Sequence, residues 1–186
     1  MVELDVHLFR GRLEVRHAKT IGPVAILWER WHPVRPFAPR LRLADVLGAA
    51  RPTTHLLLDL KGPWPGLGRR TRDVMRATCP ERRYTVCARN WLVLRPFRDE
   101  PNANVVRSAG GRFAVRALMR GGAPMYGVSV DQRFVTHRVA ARLHARAERV
   151  FAWGVTSRER LRELQNFGVD GFILDDLTLL DSVRDG

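Results

Sequence analysis

Three carboxylates and a lysine stand in two short apolar segments of this 186-residue chain. In the run Val2 to Leu8, the residues Val2, Leu4, Val6 and Leu8 alternate with Glu3, Asp5 and His7. Strand side chains have a period of two, so both acids and the histidine share one face. The run Leu56 to Lys61 repeats the arrangement, with Leu56, Leu58 and Leu60 on one side and Leu57, Asp59 and Lys61 on the other. Oxygen ligands of this kind suit a hard divalent cation, Mg²⁺ or Ca²⁺. An ammonium beside them suits a phosphate oxygen. The plainer alternative for the same alternation is the solvated face of a half-buried strand.

Short apolar runs alternate along the chain with segments of helical period, the pattern of an α/β fold. Strands are expected at Val2 to Leu8, Leu13 to His17, Leu56 to Lys61, Tyr84 to Ala88, Asn104 to Arg107, Tyr126 to Val130, Val150 to Val155 and Gly171 to Leu174. Helices are expected at Leu43 to Ala50, Arg70 to Thr78, Trp91 to Arg98, Phe113 to Arg120, Phe134 to Glu148 and Arg158 to Phe167. The last helix has the clearest signals: Thr156 and Glu159 as a capping box, Leu161, Leu164 and Phe167 at helical spacing, and Gly168 as a left-handed stop. The stretches from Trp28 to Pro39 and from Gly62 to Gly68 read as loops above the scaffold. No composition break divides the chain, so residues 1–186 are expected to form a single domain.

Hydrophobic residues make up 45% of the chain, enough for a substantial core. No apolar stretch approaches the roughly 20 residues that a membrane-spanning helix needs, and no leader pattern opens the sequence, so a cytoplasmic protein is expected. Cys79 and Cys87 are too few for a disulfide framework and lack zinc-site spacing, so both are expected to be ordinary thiols. The net charge of +13 comes almost wholly from arginine, with Lys19 and Lys61 the only lysines. The arginines are scattered, apart from a ridge at Arg138, Arg142, Arg146 and Arg149 that helical spacing would align. Without a helix-turn-helix pattern, a zinc finger or aromatics interleaved on a basic face, no specific nucleic-acid partner is expected.

The run VELDVHLFRGRLEVRH resembles the glycerophosphodiester phosphodiesterase motif in which a Glu-x-Asp strand turns into an apolar strand ending in histidine. LLLDLKG resembles that family's Glu-Leu-Lys strand, PRLRLADVL its Pro-Thr-Leu-x-Glu-Val-Leu segment, and VFAWGVTSRERLRELQNFGVDGFILDD its closing pattern. The matches run in order from Met1 to about Asp176, with Tyr84 to Val130 supported by pattern alone. The resemblance implies an α/β, TIM-type (β/α) barrel lacking its first strand and helix, because the family's opening His-Arg-Gly strand has no counterpart here. It implies Glu3, Asp5 and Asp59 as metal ligands, His17 as the acid/base residue, Lys61 on the substrate phosphate and Trp153 in the pocket wall. His7 shares the inward face and would be a pocket wall. The activity implied is metal-dependent hydrolysis of glycerophosphodiesters or similar small phosphodiesters in phospholipid metabolism.

Two positions depart from the family pattern. Ala18 stands where an aspartate usually follows the histidine, and Asp59 where a glutamate precedes Leu-Lys. The family's first histidine would lie on the missing strand, and its loss removes a proton-transfer group typically worth about 10² to 10⁴ in rate. A barrel short of one strand also leaves strand edges unpaired, which favours a homo-oligomer. The sequence therefore leaves open reduced or lost activity, and a second function as a non-catalytic barrel that binds anionic phosphate or lipid headgroups.

Overall fold

The computed structural model describes residues 1–17, 19–20, 27–29, 32–34, 40–120, 123–174 and 176–179. The chain divides into two compact units, Met1–Ala103 and Asn104–Gly186. The departure at Ala18 lies outside the described residues.

In the first unit, β1 (Val2–Phe9) turns into β2 (Arg12–Val15). Arg10 and Gly11 form the two-residue turn with φ of 46° and 78°. Positive φ at both positions is the type I′ geometry, whose twist matches that of the flanking strands. The turn fixes the antiparallel register at Val6↔Val15 and His7↔Glu14. Three short strands, β3 (Lys19–Thr20), β4 (Leu27–Glu29) and β5 (His32–Val34), make a separate antiparallel sheet, so part of the loop expected from Trp28 to Pro39 is strand. The chain then runs through β6 (Leu41–Arg42), α1 (Leu43–Ala49), β7 (Leu56–Lys61), α2 (Gly66–Thr78) and β8 (Tyr84–Ala88). Within this unit the strands lie in the order β8-β7-β1-β2-β6. β7 lies between the parallel strands β1 and β8, and both β7 and β8 are almost wholly buried, hence their apolar sequences LLLDLK and YTVCA.

Helix α2 begins four residues earlier than its periodicity indicates, so Gly66 to Gly68 belong to the helix and not to the expected loop. Gly68 explains the packing there: a Cβ on it would lie 1.8 Å from the carbonyl oxygen of Val93. Only a glycine lets the helix come this close to the backbone of the following segment. That segment, Trp91–Phe97, is a 3₁₀ helix and not the expected α-helix. Pro96 inside it has no N–H to donate, and the Asn90 side chain caps its start by accepting from Leu92 N at 3.2 Å.

The second unit is wholly parallel in its strands, β9 (Ala103–Ala109, starting at the boundary), β10 (Met125–Asp131), β11 (Ala147–Trp153) and β12 (Gly171–Ile173), which lie in sequence order. Helices α3 (Arg112–Met119), α4 (His137–His144) and α5 (Arg158–Asn166) alternate with them. The expected helix from Phe134 to Glu148 is half as long. Thr136 caps α4 by accepting from Val139 N at 3.3 Å, and the chain leaves the helix after His144 to pair Ala147 with Met125. Strand pairing thus overrides helical periodicity, and the expected arginine ridge dissolves: Arg138 and Arg142 lie on α4, Arg146 follows it and Arg149 is in β11.

At α5 the N-cap is Ser157 and not Thr156, its hydroxyl accepting from Arg160 N at 3.2 Å. The C-terminal stop is as expected. Gly168 has φ of 83°, with Gly168 N bonded to Gln165 O at 2.9 Å and Val169 N to Leu164 O at 3.1 Å. These two bonds are the Schellman arrangement.

Candidate functional site

The parallel register of β1 on β7 places Glu3 opposite Leu57, Asp5 opposite Asp59 and His7 opposite Lys61. On the other side of β7, Thr85 lies opposite Leu57 and Cys87 opposite Asp59. Since paired residues on neighbouring strands project to the same face, one face of three strands carries the row Asp5–Asp59–Cys87, with Glu3 and Thr85 on one side of it and His7 and Lys61 on the other.

The side chains converge as this register requires. One oxygen from each of Glu3, Asp5 and Asp59 lies within 4.8 Å of the other two. Lys61 Nζ is 3.1 Å from Asp5 Oδ1 and also pairs directly with Asp59 Oδ2. Asp59 is buried, and Lys61 keeps 35% of its side chain exposed. His17 stands in the bend after β2, on the solvent side, and Arg16 beside it donates its N–H to the Asp5 carbonyl at 3.0 Å. That bond ties the segment carrying His17 to the strand carrying the acids, close enough for His17 to act electrostatically on Asp5.

The electrostatics follow from burial and crowding. Burial pushes the Asp5 carboxyl above its ordinary range; Lys61 works against that shift, the nearby Asp59 charge adds to it, and His17 opposes it. For Lys61, burial alone would lower the pKa, but Asp59 and Asp5 outweigh it and hold the ammonium above the usual lysine range. Cys87 is raised well above an ordinary thiol, first by burial, then by the charges of Asp59 and Glu3 and by a hydrogen bond to Asp59. It is therefore an inert thiol that supports Asp59. Its adjacency depends on the register of β7 with β8, which nothing in the one-dimensional sequence specifies.

The donor set fits a hard cation. Mg²⁺ and Ca²⁺ bind oxygens at about 2.0–2.6 Å, so ligands around one ion lie within roughly 4–5 Å of each other. Three carboxylate oxygens within 4.8 Å meet that condition. Trp153 is described within the second unit, where it ends β11 between Asp131 of β10 and Ile173 of β12 and is partly buried.

Strands alternating with helices, mostly parallel and with acids on one strand face, fit an α/β barrel of the TIM type, and the comparison with solved structures bears this out. The chain is similar to a protein assigned as a glycerophosphoryl diester phosphodiesterase from Silicibacter pomeroyi, with a TM-score of 0.76 and 16% identity over 98% of this chain and 82% of that one. It is also similar to a glycerophosphodiester phosphodiesterase from Parabacteroides distasonis, with a TM-score of 0.71 and 16% identity over 98% and 82% of the two chains. A phosphodiesterase from Oleispira antarctica, solved with its product sn-glycerol-3-phosphate, has a TM-score of 0.72 and 14% identity over 99% and 85%. The fold is thus the glycerophosphodiester phosphodiesterase form of the TIM-type barrel, and this chain spans 82% to 85% of the length of these three solved chains. No family model matches the sequence, and no curated protein matches it.

Proposed function

We propose that this chain is a metal-dependent hydrolase of glycerophosphodiesters or similar small phosphodiesters, acting as one catalytic domain over residues 1–186 in cytoplasmic phospholipid turnover. The observation that carries the reading is the packing of Glu3, Asp5 and Asp59 oxygens within 4.8 Å of one another beside Lys61, in a fold otherwise seen in phosphodiesterases of this kind.

Glu3, Asp5 and Asp59 would hold Mg²⁺ or Ca²⁺. When bound, such a cation supplies Lewis-acid polarisation of a phosphoryl oxygen. The chain's own residues do the rest. Lys61 offers an ammonium to a second phosphate oxygen, and His17, on the solvent side of the cluster, moves the proton needed when the ester oxygen leaves as an alcohol. By the resemblance to the phosphodiesterase family, Trp153 would be a substrate-binding residue. The Cys87 hydrogen bond keeps Asp59 from swinging out of the ligand set.

The test uses the intact chain with glycerophosphocholine, following release of glycerol 3-phosphate with and without Mg²⁺ or Ca²⁺. Metal-dependent release that disappears in Asp5→Ala supports the reading. Metal binding by calorimetry with no release in any condition would leave the non-catalytic phosphate-binding barrel in its place.

A further inference from the structure

Without a metal, the cluster already holds a cation. The Lys61 ammonium lies 3.1 Å from Asp5 and is also paired with Asp59, two of the three acids whose oxygens converge as a metal would require. Its charge is positive, like that of the metal, and two cations sharing the same pair of carboxylates repel each other strongly in a partly dehydrated site. The two carboxylates are set into the strand face, with side-chain exposures of 15% for Asp5 and 12% for Asp59. Lys61 ends β7, has a flexible four-carbon stem and is 35% exposed. When a divalent cation enters, the lysine is the member of the group that has somewhere to go.

We infer that Lys61 is an internal counter-ion that exchanges with the metal: its ammonium neutralises Asp5 and Asp59 until a divalent cation binds, and is then released towards solvent, where it becomes available to a phosphate oxygen. This rests on the metal-site reading above. It adds that the site fills in a fixed order, metal first and phosphate second, because the phosphate-binding ammonium is engaged by the carboxylates until the metal displaces it. The metal-free protein would thereby avoid holding unneutralised acids in a buried cluster, and would not capture free phosphate.

The chain has two lysines, Lys19 and Lys61, so lysine labelled with ¹³C at Cε gives two side-chain signals with Lys19 as reference. In the full chain, Mg²⁺ should move the Lys61 signal and speed its acetylation, and inorganic phosphate should move that signal only after Mg²⁺ is present. By calorimetry, Lys61→Met should bind Mg²⁺ about tenfold more tightly than the parent, the effect of removing one like charge near the ion, whereas Lys61→Arg should bind no more tightly. The inference is overturned if the parent binds Mg²⁺ while Lys61 keeps its signal and reactivity, or if phosphate moves the signal without metal. It is also overturned if Lys61→Met gains no affinity. Absence of any Mg²⁺ binding by the parent would overturn the metal-site reading and this inference with it.

Discussion

The two units treat their acids differently. Among the described residues of the second unit, Asp131 and Asp170 each have their own partners: the buried Asp131 takes both the N–H of Arg133, at 3.0 Å, and its guanidinium, at 2.7 Å. Asp170 takes the Val150 N–H at 2.6 Å and the Arg149 guanidinium at 3.3 Å. Glu14 in the first unit is better supplied still, with Arg16 at 2.9 Å and Arg40 at 3.1 Å. On the face of β1 and β7, Lys61 pairs with two carboxylates at once, and Glu3 converges on them. Acid residues alone therefore do not mark a site. Their convergence does, because three carboxylate oxygens within 4.8 Å of one another suit a single divalent cation.

The largest effect should come from removing a ligand. Glu3→Ala or Asp5→Ala should abolish the heat of Mg²⁺ binding and all metal-dependent phosphodiester hydrolysis, while Asp131→Asn leaves both intact. Equal loss of metal binding in Asp131→Asn would erase the contrast between the units.

Next in size is the proton-transfer residue. His17→Ala should lower kcat by about 10²–10⁴ without changing the calorimetric affinity for Mg²⁺, since His17 stands outside the ligand cluster. An unchanged kcat would remove His17 from the chemistry and leave it as a surface residue.

In the other unit the expected cost is to stability. Asp131→Ala removes the acceptor for Arg133 N at the start of the Gln132–Phe134 turn, a capping interaction worth about 1 kcal/mol. That should lower the melting temperature by about 2–4 °C in a chain of this size, with hydrolysis per folded molecule unaffected. A drop in activity well beyond the loss of folded protein would assign Asp131 more than a structural role.

Much of this contrast was legible in one dimension. The alternation in VELDVHL and LLLDLK identified which acids share a face, and Gly168 marked the end of α5, because both depend on short-range geometry. What escaped depends on pairing between segments. The adjacency of Cys87 to Asp59 is set by the β7–β8 register, and the early end of α4 by the pairing of Ala147 with Met125. The requirement for glycine at Gly68 comes from the Val93 carbonyl 25 residues away, whereas Gly48 has nothing within 4 Å and its sequence context looks no different. Likewise the sequence placed Lys61 beside Asp59 but pointed it at phosphate; its engagement with both acids emerges only when β1 and β7 are laid side by side.

The smallest effect bears most directly on why the acids are crowded. Asp5 has its pKa raised on folding, mainly by burial, so the folded chain binds that proton more tightly than the unfolded chain does. Its contribution to stability is full below the ordinary carboxylate pKa and is lost as the pH rises through the raised folded value. At neutral pH the ionised carboxylate is thus a net cost to the metal-free fold. Asp5→Asn keeps the shape and an oxygen that accepts from Lys61, but removes the charge. In chelator at neutral pH the variant should melt above the parent, by no more than the roughly 2–4 °C that 1 kcal/mol gives in a chain of this size. The gap should close as the pH falls below about 3.9, where the parent carboxyl is protonated in both states. Mg²⁺ should then reverse the order, because only the parent gains the full stabilisation that binding to the folded state provides. A variant that melts lower than the parent in chelator at neutral pH would show that the Asp5–Lys61 pair stabilises the fold by itself, and the cluster would then resemble the one-to-one pairs of the second unit.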